Sequence, residues 1–445
     1  MYQTEYLRKR TTVADEIARI RSGDTIYMGG ASLMPVDFAK GLGQLAGRVR
    51  DVRVLHYQPL EDISAFRDPA CQDTFQFQSV FYNGLLTGAD ALGRCSFIPN
   101  NLRNAARDWA FAVPEYDVMA VCVSPMDKHG YFSLAGASLL ESDLLSHARR
   151  LVVEVASRAP RVFGDVMIHI SQVDAILESD RYPAQLPRRT PDEVDRRLGK
   201  VVADLVEDGD TIQLGIGGTI DALAVELREK KHLGIHTEMF SDSAMELMQC
   251  GAVDNSRKTS ERGRTVTSFS MGTKALYDFI DDNPAIVHKA LSYTNDPNVI
   301  AANRGMASIN AALQVDLTGQ CASESLGTRQ ISGSGGQVDT AVGAQMSPGG
   351  KSVIIVHSTY ESRDKHTGEK RLQSRILPVL PQGTPVTLTR ANTHFVATEY
   401  GAVCLRGLTL PQRAKALISI AHPDFRAWLE EEFERWYHRR VKDGT

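Results

Sequence analysis

The sequence carries one short motif twice, and this repeat constrains the fold more than any other feature. Residues 23–30 read GDTIYMGG and residues 209–218 read GDTIQLGIGG. In each copy a predicted helix is followed by a Gly-Asp turn, a buried strand, a glycine loop and a second helix. The two copies are 186 residues apart (209 − 23). This spacing predicts a duplicated domain, because solenoid repeats are only about 20–50 residues long.

The predicted elements of the two copies follow the same order. The first copy has a helix over Thr11–Ile20, a strand over Thr25–Met28 and a helix that opens at Pro35; the second has a helix over Pro191–Val206, a strand over Thr211–Leu214 and a helix through Asp221 and Val225. Elsewhere apolar runs alternate with helical segments, which favours mostly parallel sheets with ligands at the carboxyl ends of the strands. The predicted fold class is α/β, with two similar open domains.

The boundary between the copies is predicted in Arg181–Pro191, a stretch rich in proline and arginine. It divides the chain into an amino-terminal domain of residues 1–185 and a carboxy-terminal domain of residues 186–445. Two or three domains agree with a length of 445 residues. A cleft between the two domains is the expected place for the functional site.

Composition excludes several classes of function. The net charge of −4 and the pI near 6.3 lack the basic surplus typical of nucleic-acid or membrane-surface binding. None of the six cysteines forms a C-x-x-C pair, so neither a zinc site nor a disulfide framework is predicted. The start of the chain lacks the apolar core of a signal peptide, and the apolar runs are too short for a membrane span. We therefore expect a cytoplasmic protein.

A glycine loop, Gly215-Ile216-Gly217-Gly218, joins a predicted strand to a predicted helix. Such a loop lets the backbone approach a ligand, and the helix amino terminus offers N–H donors to an anion. A tight turn without a ligand explains the same residues equally well. The loop does not match the dinucleotide fingerprint, because Ile220 stands where that pattern needs a glycine.

Glu238 lies in the mostly apolar, strand-like segment Gly234–Asp242, where a charged group usually needs a partner or a purpose. A buried salt bridge or a carboxylate on an edge strand are the simpler explanations. Glu324 is a rival carboxylate that could equally cap a loop. His232 and His236 are spaced H-x-x-x-H, but the segment between them favours a strand, so no metal site is predicted.

A second glycine-rich region follows Ser332, where residues 332–339 read SGSGGQVD and residues 349–352 read GGKS. The Gly-Lys-Ser sequence suggests a phosphate-binding P-loop, but that pattern also needs a glycine where Gln345 stands. It needs a helix after the lysine as well, whereas a strand is predicted after Lys351. Lys351 is therefore either a solvated loop lysine or a group near a ligand phosphate.

Taken together, these segments resemble the acetyl-CoA hydrolase/transferase family, in particular its 4-hydroxybutyrate and butyrate:acetate CoA-transferases. The matching segments are MGGAS at 28–32, DKHGYFSLAGAS at 127–138, GIGG at 215–218, GIHTEMFSD at 234–242, SGSGGQVD at 332–339, GGKSVII at 349–355 and THFVATEYG at 393–401. The likeness covers essentially the whole chain. One residue departs from the pattern, since relatives often carry phenylalanine where Thr340 stands.

The resemblance implies roles for particular residues. It makes Glu238 the catalytic glutamate, and it suggests oxyanion donors at Gln213 and at the main chain of Gly29 and Gly30. It implies that the CoA-binding residues are Gly215, Ile216, Gly217, Gly218, Thr219, Gly335 and Gly336, with Lys351 a lesser candidate. A homodimer is also implied.

The resulting hypothesis is a CoA-transferase that exchanges CoA between a short-chain acyl-CoA and a free carboxylic acid, with acetate as the expected partner. It uses CoA as a substrate and needs no permanently bound cofactor or metal. Three alternatives remain open: an acyl-CoA hydrolase on the same fold, a nicotinamide-dependent oxidoreductase, and a non-catalytic CoA-binding protein. Dependence of CoA release on an acceptor acid separates the first alternative from the hypothesis.

Overall fold

The computed structural model describes residues 2–363 and 367–438. Their first large sheet contains seven strands, and every neighbouring pair in it is parallel. In spatial order the strands are Ala175–Ser179, Leu151–Ala156, Val118–Val123, Thr25–Met28, Val52–Leu55, Phe75–Ser79 and Cys95–Phe97. The strand of the first motif copy therefore lies at the centre of this sheet.

The second large sheet contains nine strands within the described residues. In spatial order they are Gly401–Cys404, Phe395–Thr398, Lys351–Ile355, Met306–Ala311, Thr211–Gln213, Gly234–Phe240, Thr265–Ser270, Ile286–His288 and Phe163–Gly164. Only the first pair is antiparallel. The strand of the second motif copy is central again. The last strand comes from the amino-terminal half of the chain and pairs with Ile286–His288.

Helices connect these strands. Their bounds are Tyr2–Lys9, Val13–Ala18, Val36–Gly41, Ser64–Arg67, Gly84–Ala91, Ala105–Ala112, Glu141–Leu144, Glu193–Ala203, Gly218–Leu227, Asp242–Gln249, Lys274–Ile280, Leu291–Thr294, Pro297–Ala301, Gln337–Met346, Leu410–Ser419 and Pro423–Tyr437. Four small strand groups complete the fold: Tyr131–Ser133 with Met167–His169, Gln314–Asp316 with Cys321–Ala322 and Ile376–Leu377, Ser325–Leu326 with Arg329–Gln330, and Thr359–Arg363 with Lys370–Ser374.

The structure confirms the predicted α/β class and the repeat. The strand Thr25–Met28 has the predicted bounds, and its counterpart Thr211–Gln213 ends one residue early. The helix Glu193–Ala203 begins where the predicted linker ends, because the Asp192 side chain caps it by accepting a hydrogen bond from the N–H of Asp195. The division at residue 186 stays a prediction.

The central strands of the parallel sheets are covered on both faces. Val118–Val123 and Leu151–Ala156 are buried along their whole length, as strands between two helical layers must be. One hydrophobic core includes Leu55 and Val121 of the first sheet together with Ile212 and Ile235 of the second. The two halves are therefore packed on each other, and their facing loops border a cleft. Of the helices in the described residues, none combines the length and hydropathy that crossing a bilayer requires.

Candidate active site

A cavity of about 280 Å³ lies between the two halves and receives residues from both. Its lining from the amino-terminal half is Tyr57, Gln58, Phe81, Leu102, Leu139 and Leu140. Its lining from the carboxy-terminal half is Gln213, Leu214, Gly215, Ile216, Glu238, Met239, Phe269, Leu291, Asn310, Ala311, Ser323, Ser332, Gly333, Ser334, Gly335, Gly336, Gln337 and Thr340. Most of these residues follow the carboxyl ends of central strands, where ligands of open α/β sheets bind.

Glu238 is held at this cavity by two neighbours. It lies on the strand Gly234–Phe240, and Asn295 donates a hydrogen bond from Nδ2 to its Oε2 at 2.7 Å. Gly336 comes so close that a Cβ there would overlap Oε2 of Glu238 and Nδ2 of Asn295. The carboxylate is thus fixed in position, and glycine is required beside it.

The carboxyl group of Glu238 has a pKa close to neutral pH. Burial raises the pKa of its carboxyl group to about 7, and the negative charge of Asp339 contributes to this rise. The hydrogen bonds from Asn295 and from the backbone of Gly336 oppose the rise, because they stabilise the charged form. The result is a weakly solvated carboxylate that gives up its proton around pH 7, as a nucleophile in a cleft needs to.

The glycine-rich segment 332–336, here called the catalytic loop, is anchored by the amino-terminal half. Ser334 donates a hydrogen bond from Oγ to the carbonyl oxygen of Asn100 at 2.8 Å. A Cβ on Gly333 would come within 2.6 Å of the carbonyl oxygen of Val80. This close approach explains the glycine and ties the loop that touches Glu238 to the opposite wall of the cavity.

Gln213 has its side-chain amide oriented by three donors. Its Oε1 accepts hydrogen bonds from Ser308 Oγ at 2.9 Å, from the N–H of Ile309 at 3.2 Å and from Asn310 Nδ2 at 3.3 Å. Since the oxygen takes these bonds, Nε2 is the end that can donate to a group in the cavity. The predicted donor therefore lines the same cavity as the glutamate.

Thr340 also lines this cavity, on the helix Gln337–Met346. It is buried, and its Oγ1 accepts a hydrogen bond from Asn310 Nδ2 at 3.0 Å. Asn310 links it to Gln213, so threonine extends a polar network along one wall. A phenylalanine at this position could not accept this bond.

In the glycine loop 215–218 and Thr219, some residues face the cavity and the others hold the following helix. Gly215 and Ile216 line the cavity, and Gly217 adopts a φ of +113°, which only glycine adopts readily. Gly218 packs against Asp195, and Thr219 donates a hydrogen bond from Oγ1 to Oδ1 of Asp195 at 2.5 Å. The first three residues therefore face open space, whereas Gly218 and Thr219 secure the helix that follows.

Lys351 lies away from the cavity, contrary to the interpretation that brought it near a CoA phosphate. Its Nζ forms ion pairs with Glu207 at 3.1 Å and with Asp210 at 3.3 Å. It is the first residue of the strand Lys351–Ile355, so it lies at the amino-terminal edge of the second sheet. The cavity lies at the opposite edge, which leaves Lys351 a structural role.

Gly29 and Gly30 have a structural role in the packing of the first sheet. The N–H of Gly29 donates to the carbonyl oxygen of Ala120 at 2.9 Å, so it is not free for the predicted oxyanion. A Cβ on Gly30 would collide with the carbonyl oxygen and ring of Tyr57. These glycines let the strand end pack behind Tyr57, which lines the cavity, while they themselves lie outside its lining.

The remaining sequence candidates have ordinary structural roles. His232 pairs with Asp254 through Nδ1 at 2.8 Å, and His236 is buried with Nε2 bonded to the carbonyl oxygen of Thr294 at 2.8 Å. The side chain of Glu324 accepts a hydrogen bond from Thr387 at 3.0 Å. No cluster of three potential metal ligands occurs in the part of the chain that the structure describes.

Sequence reasoning missed Asn295 and Tyr57. Asn295 follows the short helix Leu291–Thr294, far from Glu238 along the chain and outside any glycine motif. Tyr57 donates a hydrogen bond from its hydroxyl to the buried Glu141 at 2.7 Å. The sequence repeat gave no signal for Tyr57, because its offset of 186 residues places Tyr57 opposite Ser243; the relation to Glu238 follows only from the strand register.

Two family models match long parts of the chain. Residues 1–186 match the acetyl-CoA hydrolase/transferase N-terminal domain, and residues 272–433 match the acetyl-CoA hydrolase/transferase C-terminal domain. The chain belongs to the acetyl-CoA hydrolase/transferase family. The catalytic candidate Glu238 lies between the two matched ranges, in residues 187–271.

Relatives in this family align along nearly the whole chain. The 4-hydroxybutyrate coenzyme A transferase of Clostridium kluyveri is 37% identical over 97% of this chain and 98% of its own length. The succinyl-CoA:cyclohexane-1-carboxylate CoA transferase of Geobacter metallireducens is 38% identical over 98% of this chain and 97% of its own length. The crystal structure of RipA from Yersinia pestis is 35% identical, with a TM-score of 0.88 over 98% of this chain and 99% of that chain.

Proposed function

We propose that this protein is an acyl-CoA:carboxylate CoA-transferase that carries CoA on Glu238 as a thioester. The observation that carries this proposal is the half-buried carboxylate of Glu238, held by Asn295 and Gly336 in the cleft between the two halves. A carboxylate so placed can act as the covalent carrier in a ping-pong reaction. The names of full-length relatives support the same reaction class.

The reaction proceeds in balanced steps. The ionised Glu238 attacks the thioester carbonyl, the carbon–sulfur bond breaks, and CoA leaves as a thiolate, which gives an acyl–glutamyl anhydride. The thiolate then attacks the glutamyl carbonyl, so that the free acid leaves and a glutamyl–CoA thioester remains. The acceptor acid reverses these steps. Each thioester that breaks is replaced by another, with the reactive anhydride between them, so no ATP is consumed.

Three groups beside Glu238 can stabilise the negative oxygen of the tetrahedral intermediates. Asn295 offers Nδ2, Gln213 offers Nε2, and Gly336 offers its backbone. Removal of one such donor typically costs about 2.7–4 kcal/mol of transition-state stabilisation. The catalytic loop therefore replaces the Gly29-Gly30 turn as the main-chain contributor in this proposal.

The CoA chain is proposed to run between the glycine loop and the catalytic loop. Gly215 and Ile216 border the cavity on one side, and Gly335 and Gly336 border it on the other. Ile216 is 46% exposed and borders the cavity, so its side chain is available to contact a bound CoA chain. A thioester entering between these loops reaches Glu238 directly.

The acid partner is proposed to be a short carboxylic acid, with acetate as one member of the pair. Leu139, Leu140, Phe269 and Leu291 form apolar walls that suit a small hydrocarbon tail. Hydrolysis is the alternative outcome of the same chemistry, in which water resolves the anhydride or the thioester. Transfer is favoured over hydrolysis only where a bound substrate covers Glu238 and keeps water from the anhydride and the thioester.

The experiment is to trap the intermediate. The protein is incubated with butyryl-CoA or acetyl-CoA without acceptor, digested with trypsin under mildly acidic conditions, and searched for CoA on the peptide His232–Arg257. CoA attached to Glu238 is the expected result, and acetate should then release it as acetyl-CoA. Acyl-CoA consumption without an acceptor and without an adduct would instead indicate a hydrolase. Intact acyl-CoA across a panel of donors would refute both.

A further inference from the structure

A second buried carboxylate faces Glu238 from the helix that begins at the catalytic loop. Asp339 lies in the first turn of the helix Gln337–Met346, and only 3% of its side chain is exposed. Its charge acts on Glu238, because it lies close enough to raise the pKa of that group. Two carboxylates in one poorly solvated region repel each other, so the nucleophile would be protonated unless the second charge were compensated.

The compensating charge comes from the other half of the molecule. Arg103 lies in the short helical turn Leu102–Asn104, and its Nε pairs with Oδ1 of Asp339 at 3.4 Å. The N–H of Arg103 also donates to Oδ2 of Asp339 at 3.4 Å. Leu102, the preceding residue, lines the cavity. The same turn thus forms part of the cavity wall and binds the carboxylate behind Glu238.

We propose that Arg103 is a positioning residue for the transfer reaction, which neutralises Asp339 and holds the helix of the catalytic loop against the amino-terminal half, so that Glu238 stays ionised. The inference rests on the proposed role of Glu238 and adds to it a residue that no glycine motif or catalytic pattern signals. Arg103 acts through Asp339 and does not touch the reacting atoms.

Other charged groups near this pair come from each element packed around it. Asp296, before the helix Pro297–Ala301, contributes a negative charge that raises the pKa of Asp339. His236, on the strand of Glu238, is neutral at pH 7 because burial lowers its pKa to about 4. Across the cavity, Glu141 is buried behind Tyr57, whose hydroxyl binds it. Arg103 is the cation that contacts Asp339 within the described residues.

The test is the pH dependence of kcat/KM for Arg103→Gln and Asp339→Asn. The fall of kcat/KM at low pH (the acidic limb of the profile) reports protonation of Glu238. Removal of the arginine leaves the charge of Asp339 uncompensated, which raises the pKa of Glu238, so this fall should move to higher pH by about one unit. Asp339→Asn should move it to lower pH. The double variant Arg103→Gln/Asp339→Asn should behave like Asp339→Asn alone, because the arginine then has no charge to neutralise.

Two controls separate this electrostatic role from a merely structural one. Arg103→Lys retains the cation and should keep the limb near its original pH. Arg107→Gln removes a neighbouring exposed arginine, which pairs with Asp108 at 3.0 Å, and should leave the profile unchanged. An Arg103→Gln profile that falls in height without moving along the pH axis would overturn the proposal, as would an equal shift in Arg107→Gln.

The titration of Glu238 can also be followed without turnover. For each background, the free energy of unfolding is compared with that of the same protein carrying Glu238→Gln, and the pH dependence of the difference reports the pKa of Glu238. A shift in Arg103→Gln by this measurement supports the ion-pair inference even if no CoA transfer is found. The absence of a shift refutes it even if Glu238 carries CoA.

Discussion

The two copies of the glycine motif have similar sequences and different tasks. In the second copy Gly215 has open space where a Cβ would lie, and the loop faces the cavity. In the first copy Gly30 is packed against Tyr57 without space for a Cβ. Both strands are central in their sheets, so position in the fold does not explain the difference. The second copy keeps its loop open for a ligand, and the first uses its glycines for close packing.

Strand register extends the comparison to Glu238. Thr25 lies opposite Arg53 in the first sheet, and Thr211 lies opposite Gly234 in the second. Four residues beyond Arg53 and Gly234 come Tyr57 and Glu238, which line the same cavity from opposite halves. Duplication therefore gave one cavity two equivalent positions. One holds the proposed nucleophile, and the other holds a phenol bound to a structural carboxylate.

The most severe test of this asymmetry replaces the two equivalent residues. Glu238→Ala should reduce transfer to background and abolish the CoA adduct, because no carboxylate remains to carry CoA. Tyr57→Phe should retain the adduct and most of the activity, since the ring still lines the cavity. Steady-state transfer assays with mass spectrometry of peptide His232–Arg257 give both results. Near-normal transfer by pure Glu238→Ala would refute the mechanism.

The buried carboxylates of the two halves should respond oppositely to an amide. The pKa of Glu238 is about 7 in the folded protein and 4.5 in the unfolded chain. Ionisation of this group therefore lowers the free energy of unfolding as the pH rises above 4.5, and the full loss is reached above about pH 7. Glu238→Gln should therefore raise the free energy of unfolding at pH 8 by an amount on the order of 3 kcal/mol, and the gain should vanish below about pH 4.5.

Glu141 provides the contrast for that experiment. It accepts hydrogen bonds from Tyr27 at 2.8 Å, from Tyr57 at 2.7 Å and from the N–H of Leu140 at 3.1 Å. Burial raises the pKa of Glu141 as well, so an amide would relieve a buried charge at pH 8. Glu141→Gln also places its NH₂ against one of these donors, and this unsatisfied donor should outweigh the relief, so the variant should destabilise the protein at pH 8. Urea unfolding across pH 4–8 measures both variants. Stabilisation by both substitutions would remove the distinction between them.

The smallest effects are expected from alanine at the two glycines. Gly30→Ala should lower the free energy of unfolding by about 1–3 kcal/mol, because the methyl group must displace Tyr57. Gly215→Ala should change it by less than about 0.5 kcal/mol, as at an unstrained surface position, while raising KM for acyl-CoA several-fold. Thermal unfolding and initial-rate measurements distinguish them. Equal destabilisation by both substitutions would show that Gly215, like Gly30, is packed without space for a side chain.

The sequence predicted much of the fold because its signals are local. The strand Thr25–Met28 and the glycine loops are recognisable from short stretches, and Glu238 is recognisable as a charge in an apolar strand. Lys351 lies away from the cavity because of its position along a strand. The predicted strand after this lysine already indicated the amino-terminal edge, which lies opposite the ligand side of a parallel sheet.

The residues that sequence reasoning missed depend on long-range contacts. Asn295 reaches Glu238, and Arg103 reaches Asp339, across segments that no periodicity connects. Each is an ordinary polar residue in its own stretch of sequence. Asn295 meets Glu238 through the folding of the carboxy-terminal half, whereas Arg103 meets Asp339 because the two halves pack around one core.

The strand Phe163–Gly164 has a consequence for synthesis of the chain. It belongs to the sheet of the carboxy-terminal half, and its partner Ile286–His288 is made more than 100 residues later. At a translation rate of about 5–20 residues per second, this segment waits several seconds on the ribosome before its neighbour exists. The early half thus leaves the exit tunnel with an unpaired edge, and the second sheet closes only when the late half arrives.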